Sequence, residues 1–244
     1  MATLPPIYIG CAGWSIPASE AERFPASGTH LERYAGGFGC VEINSSFYRP
    51  HRPQTYAKWA SAVPEQFRFA VKVPKLITHE QRLQNAHEPL DRFLSEVAEL
   101  GSKLGPLLVQ LPPSLAFDEG VAEAFFELLR KCFSGQVVCE PRHASWFAPQ
   151  AEQLLVRFQA ARVAADPAPA PQAAAAGGWS RFVYYRLHGT PRLYYSAYSP
   201  DFLKKLSASL RESAARSVPT WCIFDNTAAG AATSDALSVL EHLR

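Results

Sequence analysis

The chain has 244 residues, 48% of them hydrophobic, which suffices for one large core and falls within the usual size of a single α/β barrel domain. Its formal net charge of +2 is too small to indicate nucleic-acid or membrane binding by bulk electrostatics. The apolar runs are of strand length, and Met1–Pro6 lacks the basic and apolar stretches of a secretory signal, so we expect neither a membrane-spanning helix nor a membrane partner.

Eight short segments have the pattern of strands in a buried parallel sheet. Their residues are apolar on both faces, and Gly or Pro flanks most of them. In chain order the predicted strands are Ile7–Cys11, Cys40–Asn44, Arg68–Val73, Leu107–Leu111, Val137–Pro141, Arg162–Asp166, Phe182–His188 and Thr220–Asp225.

Apolar residues at helical spacing lie between these strands and after the last of them. The predicted helices cover Leu90–Leu104, Val121–Cys132, Leu203–Leu210 and Leu237–Leu243. Strand and helix alternating about every 30 residues indicates βαβ units with right-handed crossovers. Eight such strands predict a single (β/α)8 TIM barrel over residues 1–244.

One unit departs from this pattern directly after Asp166. Prolines at alternate positions (167, 169 and 171) are followed by four alanines and two glycines. Proline lacks the backbone N–H that a helix interior needs. We therefore expect the sixth helix to be reduced or missing, and residues 167–178 to form a flexible loop within the barrel.

The five cysteines are odd in number and form no C-x-x-C pair. Four lie inside apolar strand patterns, the exception being Cys132. This distribution indicates reduced, buried thiols in a cytoplasmic protein.

Polar residues recur near the carboxyl ends of the predicted strands, although both faces of those strands are otherwise apolar. An unpaired buried polar group costs roughly 1–3 kcal/mol, so a recurrent set needs an explanation. Because side chains alternate along a strand, these residues point to the barrel interior while their apolar neighbours face the helices. This polar ring consists of Glu42, Asn44, Lys72, Gln110, Glu140, Arg142, Arg186 and His188.

The polar ring has two interpretations. It could be a structural network of salt bridges that fills the barrel mouth. Alternatively it lines a pocket with a slight cationic excess, which suits an anionic or polyhydroxylated ligand. The segments after the strands favour the pocket, because their aromatic, basic and amide side chains suit a sugar, nucleobase or phosphate. Among them are Trp14, Tyr48, His143, Trp146 and Asn226.

Several ordered motifs resemble those of the YecE-like family. The matching stretches are Gly10–Trp14, Val41–Tyr48, Phe69–Pro74 with Thr78–His79, Val109–Pro113, Glu140–Trp146, Arg186–Gly189 and Asp225–Thr227. The resemblance spans about the whole chain and implies a TIM-barrel domain of unknown function. This chain departs from the family pattern at Pro141, where Phe is usual, and at Asp225, where Asn is usual.

We predict an enzyme, a hydrolase or isomerase, acting on a phosphorylated or sugar-like substrate by acid–base chemistry. Candidate catalytic residues are Glu140 as general base or acid, Glu42 as its partner carboxylate and His188 as a second proton-transfer group. Candidate substrate-binding residues are Trp14, Asn44, Tyr48, Lys72, Gln110, Arg142, His143, Trp146, Arg186 and Asn226, with Lys72 and Arg186 holding the anion.

Other functions remain open. A metal-dependent phosphodiesterase resembling endonuclease IV could use carboxylates and histidines of the polar ring as ligands, but Lys72, Arg142 and Arg186 would repel a dication. A binding protein for a nucleotide or single-stranded nucleic acid would use the basic, aromatic rim without chemistry. A glycosidase would need Glu42 and Glu140 on either side of a sugar. We expect no cofactor and no bound metal.

Overall fold

The computed structural model describes residues 7–244, so Met1–Pro6, for which we predict no signal sequence, lie outside the described residues. The described chain contains ten strands and seven α-helices. The strands are β1 (Ile7–Cys11), β2 (Cys40–Ile43), β3 (Arg68–Lys72), β4 (Leu104–Gln110), β5 (Val137–Glu140), β6 (Ala160–Arg162), β7 (Ala164–Asp166), β8 (Gly177–Gly178), β9 (Val183–Leu187) and β10 (Thr220–Phe224). The helices are α1 (His30–Ala35), α2 (Pro53–Ser61), α3 (His87–Val97), α4 (Glu119–Cys132), α5 (Pro149–Arg157), α6 (Pro200–Ala215) and α7 (Ala231–Leu243).

The strands form two sheets that are almost entirely parallel, which makes the fold α/β. One sheet has the order β1-β10-β9-β7, and the other has the order β2-β3-β4-β5-β6-β8. Only the two-residue β8 pairs antiparallel among the described strands. The sheets approach each other at two places: β6 and β7 are separated by Val163 alone, and a parallel bridge joins Ala12 to Glu42. Closure into one barrel stays a prediction.

Two apolar clusters lie on opposite faces of the strands, as the predicted alternation requires. The larger cluster packs against the helices and contains the residues predicted to face them, namely Val41, Ile43, Val71, Val73, Val109, Leu111, Cys139 and Leu187. The smaller cluster, on the other face, includes Cys40, Ala70, Leu108, Val138 and Tyr184. Each of these precedes a polar residue by two positions, so the polar ring continues the face of the smaller cluster.

The helix patterns predicted four of the seven α-helices. The helix predicted over Leu90–Leu104 extended too far, because Leu104 is the first residue of β4 and follows a 3-10 turn over Ala98–Lys103. The helices α1, α2 and α5 are six to nine residues long, too short for a clear apolar period. Local signals mark them instead: α1 has a Thr29–Glu32 capping box, and Pro53 and Pro149 open α2 and α5.

Residues 167–178 form a 3-10 turn over Pro171–Ala174 followed by β8, in place of a sixth helix. Arg162 anchors this segment, donating from Nη1 to the carbonyl oxygens of Gln172 (2.9 Å) and Ala175 (3.1 Å). Glu152 receives Arg162 Nε at 2.9 Å and also the backbone N–H of Gly178. These contacts join the segment to β6 and α5; the predicted flexibility stays a prediction.

The five cysteines are free thiols, and all but Cys132 are buried, in agreement with the sequence pattern. Over residues 7–244, every helix is too short or too polar to cross a bilayer.

Candidate functional site

Arg186 occupies the centre of the polar ring and contacts three carboxylates. Its Nε and Nη2 donate to Glu42, with Nη2 2.8 Å from Oε1, and its Nη1 donates to Glu140 Oε2 at 3.1 Å. Nη2 also lies 3.0 Å from Asp225 Oδ2. Arg186 is 1% exposed, so a buried cation is compensated by more than one buried anion. The strands β2, β5 and β9 and the residue after β10 bring these four side chains together.

His188 bridges two of the same carboxylates. Its Nε2 lies 2.8 Å from Glu140 Oε1, and its Nδ1 lies 2.9 Å from Asp225 Oδ2. We call Glu42, Glu140, Arg186, His188 and Asp225 the buried cluster. All five are buried, so their contacts with one another replace water.

Arg142 closes the buried cluster from the side of the solvent. Its Nη2 lies 2.7 Å from Glu140 Oε1 and 2.8 Å from His188 Nε2, and its side chain is 14% exposed. Its Nε is buried without a hydrogen-bond partner among the described residues. Arg142 is therefore the most exposed cation in contact with the buried cluster.

Two carboxylates of the buried cluster, those of Glu140 and Asp225, are held ionised. Burial alone would raise the pKa of Glu140, but the charges of Arg186 and Arg142 and the contact with His188 hold it well below its usual range. Burial likewise opposes ionisation of Asp225, yet Arg186 and the hydrogen bond to His188 lower its pKa. Glu140 is therefore ionised at neutral pH, and its low pKa opposes a role as general acid.

Glu42 is bound on all sides. Tyr184 donates to its Oε2 at 2.8 Å, and Arg186 contacts both of its oxygens. The residue is 0% exposed. This placement argues against two predicted roles, because Glu42 holds Arg186 and the Arg186 guanidinium is bound to carboxylates. Substrate contact by either residue stays a prediction.

Lys72 lies beside the buried cluster without joining it. Its Nζ is 3.9 Å from the centre of the Phe47 ring, and the residue is 5% exposed. Among the described residues it makes no ion pair, because the nearby carboxylates are bound to Arg186. Burial, followed by the charge of Arg186, lowers the pKa of Lys72 from 10.5 to about 8, although Glu42, Asp225 and Glu140 oppose the shift.

Three predicted ligand-binding residues carry amide groups. Asn44 follows β2 and its Oδ1 is buried without a partner among the described residues, while Gln110 is half-buried at the end of β4, in register with Glu140. Both therefore keep polar atoms available at the same edge of the sheet. Asn226 donates from Nδ2 to Ser196 O (2.9 Å) and Asp235 Oδ2 (2.7 Å), which fixes the loop after β9, while its Oδ1 is buried without a partner among the described residues.

The predicted aromatic residues are only partly at the site. Tyr48 is 74% exposed and contacts Phe47 edge-on, and half-buried Trp14 packs edge-on against Trp59. Trp146 lies in the core at 1% exposure, with its indole N–H donating to Leu115 O at 3.0 Å, and this packing argues against its predicted contact with a ligand.

His143 has a local structural role. Its Nδ1 accepts the backbone N–H of Ser145 at 3.2 Å and lies 2.8 Å from Ser145 Oγ, so it caps the turn over Ala144–Phe147. It remains half-buried after β5, and its predicted contact with a substrate stays a prediction.

Three residues of the site were not among the predicted binding or catalytic residues. Asp225 and Tyr184 complete the buried cluster's contacts, and strand alternation places both on the same face as Arg186. The third is His79, whose ring meets Phe47 edge-on at 4.9 Å. Burial and the charges of Lys72 and Lys75 lower the pKa of His79 to about 4, so it is neutral at physiological pH. Its place in the Thr78–His79 motif was the available signal.

Phe47 and Tyr48 form one wall of a cavity of about 330 Å³. The other walls come from the turn Leu76–Glu80 and from α3, including Lys75 and Arg92. Phe47 therefore contacts both Lys72 and this cavity.

The donor set around Arg186 does not fit a metal centre. Over residues 7–244, no group of three or more histidine, cysteine or carboxylate side chains has an arrangement that could hold a metal ion. The three carboxylates of the buried cluster face a guanidinium instead.

Comparisons with known proteins agree with the resemblance in the motifs. The family model described as "Protein of unknown function DUF72" matches residues 8–244. The UPF0759 protein YecE of Escherichia coli K12 is 32% identical over 149 residues, which are 60% of this chain and 52% of that protein. The UPF0759 protein YunF of Bacillus subtilis is 33% identical over 168 residues, 64% of this chain and 57% of that protein. The aligned part thus spans only about half the length of these curated relatives.

A solved structure extends the similarity to nearly the whole fold. The crystal structure of a DUF72 family protein from Enterococcus faecalis V583 has a TM-score of 0.81 and 25% sequence identity, and the match covers 97% of this chain and 95% of that chain. The names of these relatives state no reaction, and a shared fold does not by itself determine one.

Proposed function

Because this chain belongs to the DUF72 family, whose description leaves the activity open, we propose from its site that it is an enzyme acting on a small phosphorylated or sugar-like anion. The proposed reaction is an isomerisation or a hydrolysis that proceeds by proton transfer. The observation that carries the proposal is Lys72, a nearly buried amine without an ion-pair partner among the described residues, beside a cluster whose carboxylates are already bound.

The site contains charged and polar groups that have no partner among the described residues. A purely structural salt-bridge network would pair its cations, as Arg186 is paired. Lys72 instead has no ion pair and Arg142 Nε has no hydrogen-bond partner among the described residues, while Asn44 Oδ1 is also without a partner and Gln110 is half-buried. Two cations and two amides suit a ligand with an anionic group and several hydroxyls.

Proton transfer is assigned to Glu140 and His188. Glu140 is an ionised base whose Oε1 is shared by Arg142 and His188. His188 links it to Asp225, so a proton taken up on this pair can be stabilised by a second carboxylate. Glu42 and Arg186 act as positioning residues that hold Glu140 in place.

A ligand screen followed by turnover measurements tests the proposal. Sugar phosphates and their unphosphorylated counterparts are screened by thermal shift, and stabilising compounds are followed by NMR for conversion. We expect phosphorylated compounds to stabilise the protein, and Glu140→Gln and His188→Ala to lose at least 100-fold in turnover, since general acid–base catalysis contributes about 10²–10⁴-fold. Full turnover by both variants would refute the assignment.

We also infer that the nine parallel strands, with β6 and β7 counted as one barrel strand, close into one (β/α)8 barrel. The two sheet junctions support this, since β6 continues into β7 across one residue and β1 reaches β2 through the Ala12–Glu42 bridge and a 2.9 Å hydrogen bond from Gly13 N to Glu42 O. The polar ring would then lie at the carboxyl ends of the strands, where barrel enzymes have their active sites.

The alternative function, binding of a nucleotide or single-stranded nucleic acid, is favoured by the aromatic rim. Tyr48, Tyr194 and Tyr195 are exposed, Tyr194 meets His188 edge-on at 5.8 Å, and the Arg192 guanidinium lies 3.9 Å from the Tyr195 ring. Stacking on such residues is tolerant of sequence, and phosphate contacts make affinity fall steeply with salt. A salt-titrated binding assay with oligonucleotides would support this function only if affinity falls in that way.

A further inference from the structure

The backbone of Lys72 is held rigidly at the end of β3. Ser46 Oγ donates to the carbonyl oxygen of Lys72 at 2.7 Å, and Val71 and Val73 are both buried in the apolar cluster beneath the helices. The aliphatic stem therefore has little freedom, and the Phe47 ring fixes the amine by a cation–π contact of 3.9 Å. A lysine held in this way is unlike the mobile lysines of a protein surface.

The environment of Lys72 makes the free amine more accessible than it is in a lysine exposed to water. Three carboxylates are close enough to influence it, but each is bound to Arg186, whose charge acts against a second cation. His79, whose ring meets Phe47 edge-on, offers no negative charge to the Lys72 ammonium. A nearly buried lysine that has few stabilising partners is a nucleophile at neutral pH, as in enzymes that form Schiff bases.

We propose that the substrate is an aldehyde or ketone with an anionic group, and that the Lys72 amine forms an imine with its carbonyl carbon. The inference rests on the proposed function, because it names the substrate class of the same site. Arg142, with its free Nε, would hold the anionic group while Lys72 attacks.

The step balances without an oxidant or reductant. The Nζ lone pair forms a bond to the carbonyl carbon, and the C=O π electrons move to oxygen, which takes up a proton. The resulting carbinolamine loses its hydroxyl as water and its second N–H proton to a base, which gives the imine. Protonation of the imine makes the neighbouring C–H acidic, so that proton transfer at carbon becomes accessible to Glu140 and His188.

Reductive trapping tests the proposal. The full chain is incubated at pH 7 with glycolaldehyde phosphate and sodium cyanoborohydride, and the modified lysines are located by peptide mass spectrometry. Because Lys72 carries more free amine at this pH than a lysine of ordinary pKa, we expect its labelling to be about tenfold or more faster than that of Lys131, which is 68% exposed. Labelling spread evenly over the lysines, or absent from Lys72, would overturn the proposal.

Two variants separate an imine-forming lysine from one that merely binds an anion. Lys72→Arg keeps the positive charge but cannot form an imine, so it should lose the adduct; Lys131→Arg on α4 is the matched control and should keep it. If the Lys72→Arg variant still forms the adduct at the wild-type rate on another residue of the site, the assignment of the imine to Lys72 is contradicted.

The unphosphorylated probe, glycolaldehyde, separates a failure of the imine from a failure of the proposed anionic substrate. If glycolaldehyde labels Lys72 as fast as its phosphate does, the imine stands and the anionic substrate of the proposed function fails. If glycolaldehyde phosphate stabilises the protein in a thermal shift assay without labelling Lys72, the proposed function stands and the imine fails.

Discussion

The Arg186 guanidinium and the Glu42 carboxylate face each other side-on, although the two residues lie 144 positions apart in the sequence. The Nε–Oε2 distance is 3.1 Å and the Nη2–Oε1 distance is 2.8 Å. This two-point contact occupies the Nε and Nη2 side of the guanidinium, while Nη1 contacts Glu140. Arg186 is thus committed to carboxylates, and the proposed site assigns ligand binding to Arg142 and Lys72.

Arg186→Met should destabilise the protein strongly. Removing the cation leaves three buried carboxylates without their shared partner, and breaking a buried ion pair in this way costs about 3–5 kcal/mol. Urea unfolding measures the loss. Arg216→Met is the control, since the Arg216–Glu212 pair is exposed and should change the free energy of unfolding by less than about 0.5 kcal/mol. Equal effects of both substitutions would contradict the buried cluster as described.

Lys72→Met should stabilise the protein at pH 7. A pKa of about 8 in the folded state, against 10.5 normally, means that the buried charge costs up to roughly 3 kcal/mol, which the substitution relieves. Between these two pKa values the unfolded chain binds more protons, so the wild-type stability rises with pH from about 8 to 10.5 and the advantage of the variant shrinks.

The measurement for Lys72→Met is the free energy of unfolding at pH 7 and pH 10, with Lys131→Met as an exposed control that should change little at either pH. A variant less stable than wild type at pH 7 would show that Lys72 is stabilised by its surroundings, contrary to its lack of an ion-pair partner.

Asp225→Asn should reduce the sensitivity of the protein to acid. The folded-state pKa of Asp225 is lowered, so its contribution to stability is full above its unfolded pKa of about 4 and is lost as the pH falls through the folded value. The amide can still accept hydrogen bonds from Arg186 and His188. The drop in unfolding free energy from about pH 5 to pH 3 should therefore be smaller in the variant. Asp91→Asn, at an exposed position of α3, should show the wild-type drop.

Gly10→Ala should disrupt the contact between β1 and β2. A Cβ at Gly10 would overlap the carbonyl oxygen of Cys40, which is backbone and cannot move aside. We expect a loss of several kcal/mol or a failure to fold, because overpacking against rigid surroundings costs about 1–3 kcal/mol or more. Gly39→Ala is the control, as no atom lies within 4 Å of its added Cβ. A harmless Gly10→Ala substitution would argue against close approach of the two sheets.

Much of the architecture could be predicted from the sequence because the strands are short, apolar and bounded by Gly or Pro. Their alternation also assigned Glu42, Lys72, Glu140 and Arg186 to one face, which the two apolar clusters confirm. The short helices were not predicted, since six to nine residues carry too little periodicity.

The partners of the charged residues could not be predicted from the sequence. Alternation says which face a side chain takes, but the choice among Glu42, Glu140 and Asp225 as partners of Arg186 depends on side-chain reach in three dimensions. Trp146 shows the same limit: an aromatic residue after a strand can stack on a ligand or, as here, pack beneath a loop with its N–H bonded to Leu115 O.

Binding of a phosphorylated ligand by Arg142 is the most direct test of the proposed site. The best phosphorylated compound from the thermal shift screen is titrated calorimetrically into wild type, Arg142→Met and the surface control Arg157→Met. We expect the dissociation constant of Arg142→Met to be at least about tenfold higher than that of wild type, because a charged hydrogen bond is worth about 1.5–3 kcal/mol. We expect the dissociation constant of Arg157→Met to equal that of wild type. An Arg142→Met variant that binds the compound as tightly as wild type would contradict the proposed binding of the anion by Arg142.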